Sequence, residues 1–361
     1  MDPIFNMFKI KYADMAKLIP IYCKELKRDS KVNVFINFEP ILKYLSIGNA
    51  NDYIKVSDNS DKEMISNIIN MMAHYRQFFT KHKLYSKVYL YIPYPFNKVG
   101  DVSSVVYPNY RDNFKSKFVK NSSTKRLVKC INENMEIIKT ISEHIEGCYI
   151  ITSESIENSL VPFIINKENS NPEEVNFIVT SEPYEYQYVN HGFYILRPSR
   201  NADYMISKYN LIDTIKMEQK LFNNEIEVNP NAYEFILSIL GDKTKNIEKI
   251  KKLGLASILK LIDKGIKENK ISKIFTIEDI SKFIREEYKD ILFNNYMVSS
   301  IEMQYKLLNT SNKFSILSQI KERFDNVGLK KINDEYFQES PLQVLELTGG
   351  TPLKHRNKNI F

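Results

Sequence analysis

Five short apolar runs lie between residues 32 and 196, and the segments between them carry helical patterns. The runs are Val32–Phe38, Lys87–Ile92, Cys148–Thr152, Asn176–Thr180 and Gly192–Leu196. Each is rich in β-branched and aromatic residues, and they do not alternate with polar ones. Continuous apolar runs of this length are expected of strands buried on both faces. Helical spacing of apolar residues over 62–82, 131–145 and 156–166, with a short helix at Ile41–Leu45, places helices between the strands. Strands that alternate with helices form βαβ units, so the fold class predicted is α/β, a mostly parallel central sheet flanked by helices.

The remainder divides by pattern. Residues 97–129 are polar and basic, and Pro93 and Pro95 stop the second strand. From about residue 210 to 325 the chain reads as almost wholly helical. The stretch 331–361 contains Pro341, Gly349, Gly350 and Pro352 and ends basic. The expected organisation is an α/β domain over 1–205, a helical region over 206–330 and a tail over 331–361. A chain of 361 residues is long enough for about two compact units.

Composition narrows the classes. Hydrophobic residues make up 43%, enough for a full core, and charged residues 26%. The net charge of +7 favours an anionic partner only where the positive residues cluster. Plentiful Ile, Asn and Lys point to an AT-rich genome, as in a virus or phage. The three cysteines, Cys23, Cys130 and Cys148, have no metal-binding or redox spacing and read as reduced thiols of a cytoplasmic protein, in a viral case the host cytoplasm. No leader segment is expected, and no apolar run approaches the roughly 18 residues of a membrane span. The five histidines are scattered. Nucleotide-cradling glycine loops, nucleophile elbows and zinc motifs are missing from the sequence.

The segment Val228–Ile262 is the most informative. A Pro-led helix ends at Gly241–Asp242, a polar stretch passes through Asn246, and a second helix begins after Leu253–Gly254. Two helices bracketing such a turn present backbone N–H groups beside Lys243, Lys245, Lys249, Lys251 and Lys252, a device suited to phosphates.

This stretch resembles the helix–three-turn–helix motif of the flap endonuclease/5′–3′ exonuclease family. Gly241, Asp242, Thr244, Asn246, Ile247, Gly254, Ser257, Leu261 and Ile262 align with the motif without a gap. Lys245 stands where the family has a metal-binding Asp, Glu248, Lys249 and Lys252 replace its Pro-Gly and first hairpin Gly, and Ala256 replaces its Lys. Upstream segments follow the family's order. Val34–Asn37 and Tyr89–Pro93 resemble its first two strands, and Tyr107–Lys115 the approach to its basic arch. Ser155–Ile164 resembles its acidic helix start, and Phe177–Val189, with Gln187 retained, its next acidic strand end. The likeness spans about residues 30–265 and implies a PIN-like fold that binds flap, nicked or single-stranded DNA.

The catalytic chemistry is another matter. Two-metal phosphodiester hydrolysis holds two Mg²⁺ ions about 4 Å apart, which demands a ring of carboxylates. At the family's acidic positions this chain has Asn37, Pro93, Ser155, Glu157, Asn158, Glu182, Tyr184, Asp242 and Lys245. Only Glu157, Glu182 and Asp242 remain acidic. A slip of register restores single positions at most, Glu39 beside Asn37 or Glu154 beside Ser155. The resemblance therefore implies a pseudo-nuclease without catalytic residues or cofactor, working in replication, transcription or packaging. Two rivals stay open: a divergent, active, Mg-dependent 5′–3′ exonuclease or flap endonuclease, and a structural or assembly protein that kept the fold.

The expected nucleic-acid contacts are Lys115, Lys117, Lys120, Lys125 and Arg126 in the arch-like run, and Lys243, Lys245, Lys249, Lys251 and Lys252 in the helical motif. Tyr107, Tyr110, Phe114 and Phe118 would stack on bases. A solvated basic face is the rival reading of both groups. Beyond residue 265, Ile277–Phe293 reads as an amphipathic helix that packs back on the sheet or docks a partner, and the tail as a peptide for a protein partner or a disordered terminus.

Overall fold

The computed structural model describes residues 9–10, 30–38, 61–81, 84–93, 122–143, 145–153, 160–163, 173–198, 203–221, 224–242, 247, 249–250, 253–271 and 276–287. Its centre is a seven-stranded sheet. In chain order the strands are β1 (Lys9–Ile10), β2 (Lys31–Asn37), β3 (Tyr85–Pro93), β4 (Cys148–Ser153), β5 (Glu174–Val179), β6 (Phe193–Arg197) and β7 (Asp203–Ile206). Their order across the sheet is β1-β7-β6-β5-β2-β3-β4. β4, β3, β2, β5 and β6 run parallel, whereas β7 and β1 join antiparallel at one edge. The expected mostly parallel α/β sheet is thus present.

Helices cover both faces. Helix α1 (Asp61–Lys81) connects β2 to β3, and α2 (Ser122–Glu143) lies between β3 and β4. Their apolar stripes, including Met64, Ile68, Met72 and Phe79 from α1 and Leu127, Ile131 and Ile138 from α2, meet Val34, Ile36, Leu90 and Ile150 of the sheet. The opposite face, carrying Phe35, Tyr91, Ile178 and Ile195, is covered by α3 (Leu211–Glu218), α4 (Tyr233–Leu240), α5 (Leu255–Lys267) and Phe283 and Ile284 of α6 (Ile277–Glu287). Alternate residues of β2 face opposite layers, as a strand between two layers requires. Burial on both faces explains why these strands read as unbroken apolar runs.

Several details differ from the sequence reading. Helix α2 begins at Ser122, inside the stretch read as polar chain, so Lys125 and Arg126 lie on helical turns. Strands β1 and β7 have no counterpart among the apolar runs. Helical character after residue 210 is broken: residues 224–229 are not helical, nor are Gly241 and Asp242. Residues 288–361, with the 331–361 tail and the distal part of Ile277–Phe293, lie outside the described residues. Cys130 and Cys148 are buried, and burial pushes both thiols up to about 12, which fits small core residues rather than nucleophiles. Among the described residues no helix is long and apolar enough to cross a membrane.

Gly265 in α5 marks a tight helix contact. A Cβ there would sit 2.3 Å from Cδ1 of Ile271 and 3.3 Å from Phe283, and Ile271 is itself buried. Alanine would gain about 1 kcal/mol of helix propensity, but overpacking costs about 1–3 kcal/mol. Gly265→Ala is therefore expected to lower the urea midpoint, and a variant more stable than wild type would contradict this packing.

Candidate nucleic-acid interface

The C-terminal ends of β2, β3, β4 and β5 share one edge of the sheet, because these strands are parallel. Open α/β sheets bind ligands along such an edge. Asn37 ends β2 there, paired in register with Tyr91 of β3. Pro93 ends β3 opposite Ser153. Thr180 follows β5, and its hydroxyl oxygen accepts from the Glu182 backbone N–H at 3.1 Å.

The chain then turns into a 3-10 helix, Pro183–His191. It runs longer than the usual three or four residues of this helix type. Pro183 presets its first turn, and Gly192 ends it at φ 84°. Tyr184, Glu185, Tyr186, Gln187, Tyr188 and Val189 are all buried. Gln187 turns inward and donates from Nε2 to the Tyr184 carbonyl at 2.8 Å, a structural role.

This segment is fastened to the helices that follow. The Tyr233 hydroxyl at the start of α4 donates to the Pro183 carbonyl at 2.5 Å. Asn190 donates to the Pro230 carbonyl at 3.2 Å, and His191 lies 3.6 Å from Glu234. Tyr186 donates to Glu218 of α3 at 3.1 Å, and Arg197 of β6 pairs with the same carboxylate. Burial raises the Glu218 carboxyl, while Arg197 and Tyr186 oppose that shift. Burial raises the Tyr233 phenol too, with the nearby Tyr186, Glu218 and Asp242 adding to it.

Asp242 is buried and follows Gly241, whose φ of 66° and ψ of −179° belong to glycine alone. Asp242 and Ile247 exchange two backbone hydrogen bonds of 2.9 Å, closing the loop between them. Gly241→Ala is expected to cost about 1–3 kcal/mol through backbone strain, read as a lower thermal midpoint. An unchanged midpoint would contradict the turn. Helix α5 then starts after Gly254, with Lys249 exposed nearby.

The acidic residues singled out in the sequence are distributed as follows. Glu182 and Asp242 are both buried, and Glu157 lies outside the described residues. Of the expected nucleic-acid contacts, Lys125 and Arg126 are exposed on α2 and Lys249 is exposed before α5. Lys115, Lys117, Lys120, Lys243, Lys245, Lys251 and Lys252 lie outside the described residues. So does any pairing of Lys245 with Glu182 or Asp242.

Sequence reasoning missed Glu185. Its side chain is fully buried beside the strand ends, and the Tyr91 hydroxyl donates to Oε1 at 3.0 Å. Burial pushes its carboxyl up to about 8; Thr180, Asn37 and Tyr91 favour the charged form, and the Glu182 charge opposes it. An ungapped alignment places Tyr184, not Glu185, at the family's second acid. The available signal was the spacing of Glu182 and Glu185, which a three-residue turn brings to one side.

The described residues of this edge do not by themselves supply the ring of carboxylates that a pair of divalent ions needs. Asn37 and Tyr184 are neutral and buried. Burial disfavours the charged form of Glu185, the form that an ion would bind. Among the described residues no three acid, imidazole or thiol side chains converge as ligands.

Sheet order, layers and the helical segment after the sheet define a flap-nuclease-like fold. No protein-family model matches the sequence, and no curated protein sequence matches it. Solved structures do. The chain is similar to a bacteriophage T5 flap endonuclease solved as a pseudo-enzyme–product complex with DNA and metal ions, at TM-score 0.56 and 11% identity over 88% of this chain and 99% of that one. It is also similar to the T5 protein co-crystallised with metal ions, at TM-score 0.54 and 10% identity over 82% and 99%. A third is the T5 5′-exonuclease with zinc bound, at TM-score 0.51 and 10% identity over 82% and 99%. At such identities the likeness establishes the fold.

Proposed function

We propose that this chain is a nucleic-acid-binding protein on a flap-nuclease fold that has given up phosphodiester hydrolysis, working on flap, nicked or single-stranded DNA. The observation that carries the reading is the sheet edge itself. Where hydrolysis needs several carboxylates, Asn37 and Tyr184 are neutral, and Glu185 is an acid buried where its charged form is disfavoured. The binding half rests on the fold, on the DNA held by the T5 flap endonuclease complex, and on exposed Lys125, Arg126 and Lys249. Lys249 beside the start of α5 suits a phosphate contact, since a helix N-terminus offers unsatisfied N–H groups. Lys243, Lys245, Lys251 and Lys252 extend the same contact in sequence, and Lys115, Lys117 and Lys120 extend that of α2. Replication, transcription or packaging are the settings proposed, with a protein partner for the region after residue 287.

A metal-dependent nuclease is the one rival with an observation of its own: Glu182, Glu185 and Asp242 are all buried acids of these two segments.

The binding reading is tested by fluorescence anisotropy on labelled 5′-flap, nicked and single-stranded DNA over a range of salt. Affinity should fall steeply as salt rises. Lys249→Glu should weaken binding to all sequences and reduce the salt slope by about 1, the share of a single phosphate. Affinity that ignores both salt and Lys249 would leave a structural or assembly role instead.

A further inference from the structure

Glu185 is the least expected residue of the sheet edge. It lies three residues beyond Glu182, on the first turn of the 3-10 helix, with no exposed surface. The strand ends surround it: Asn37 from β2, Tyr91 from β3 and Thr180 after β5, all buried. Tyr91 donates to Oε1 at 3.0 Å, whereas Oε2 is buried and has no hydrogen-bond partner among the described residues. A carboxylate oxygen left bare in the interior is costly, and a neutral acid in the same place is far less so. Among the described residues the charged group that acts on it is Glu182, of like sign.

We propose that Glu185, Tyr91, Asn37 and Thr180 form an uncharged polar lock that joins the ends of β2, β3 and β5 to the 3-10 helix, the Tyr91–Glu185 hydrogen bond and the buried polar neighbours Asn37 and Thr180 doing what bound divalent ions do when they tie strand ends together. The lock explains the two oddities of this edge at once. A neutral Asn37 at the end of β2 suits a neutral acid as neighbour, since a carboxylate there would confront Glu185 with a second negative charge. The long 3-10 helix is held because its first turn carries the acid into the core while Tyr233 holds Pro183 from the other side. The inference concerns how the edge is held together and does not depend on DNA binding.

The test is a set of thermal melts on the full chain at neutral pH, in EDTA and in millimolar Mn²⁺, for wild type, Glu185→Gln, Glu185→Ala and Tyr91→Phe. The amide has nearly the shape of the neutral acid and needs no proton to be taken up on folding, so Glu185→Gln should melt no lower than wild type at neutral pH. Glu185→Ala should melt well below both, and Mn²⁺ should shift none of them. If the alanine variant yields no folded protein, Tyr91→Phe gives the reading, with a lower midpoint expected from loss of one hydroxyl. A Mn²⁺-dependent rise in the wild-type midpoint that Glu185→Gln abolishes would overturn the lock in favour of an ion site. So would a glutamine variant as unstable as the alanine one, or a Tyr91→Phe variant as stable as wild type. DNA affinity measured on the same samples separates the two proposals, since its absence would sink the binding function and leave the lock standing.

Discussion

Truncating Phe35 to alanine is expected to cost about 3–5 kcal/mol, the range for removing a buried aromatic ring. Phe35 sits in the middle of β2, the strand flanked by β3 and β5. It is essentially inaccessible, stacks on Tyr89 at 5.0 Å and 15°, and meets Phe193 edge-on at 6.0 Å. Aromatic pairing adds about 0.5–1.5 kcal/mol beyond area burial. Against a total stability of about 5–15 kcal/mol, such a loss leaves a domain near its folding threshold. Guanidinium unfolding should show a much lower midpoint with the slope unchanged. A loss under about 1 kcal/mol would mean that β2 is not where the core is densest.

The second large effect is in pH. Glu185 keeps its proton up to about 8 in the native state, against an ordinary 4.5. Between those values the native state binds more protons than the unfolded one. Stability must therefore be fullest below the ordinary value, decline as pH rises through the window, and level off above about 8. At roughly 1.4 kcal/mol per pH unit of difference the scale is several kcal/mol. The raised carboxyl of Glu218 pushes the same way, with Arg197 and Tyr186 opposing it. Unfolding free energies measured from pH 5 to 9 should slope downward in wild type. The Glu185→Gln variant should be much flatter, and equal slopes in the two would place the proton elsewhere.

The parallel strands were legible because burial on both faces writes itself as unbroken apolar runs, as in Val32–Phe38 and Asn176–Thr180. β7 was not, since four residues beginning with a charged Asp203 carry too little pattern, and the two residues of β1 carry less. The first turns of α2, Ser-Ser-Thr-Lys-Arg, look like loop by composition and become helix because Leu127 and Cys130 bury one side of them. The 3-10 helix fell between templates, its period of three matching neither strand nor α-helix. The same gap hid Glu185. An alignment without insertions counts positions, whereas the backbone after Thr180 decides which side chain turns inward. Asp242 was readable because Gly241–Asp242 falls in the stretch that resembles the helix–three-turn–helix motif, and Gly241 does precede it at positive φ.

The claim that this edge does not run two-metal hydrolysis is tested most directly by incubating the full chain with 5′-flap and nicked DNA in Mg²⁺ and in Mn²⁺ and resolving the strands on a denaturing gel. Intact strands, from protein that retards the same DNA in a native gel, are the expected result. Metal-dependent cutting that disappears in Asp242→Ala would contradict it.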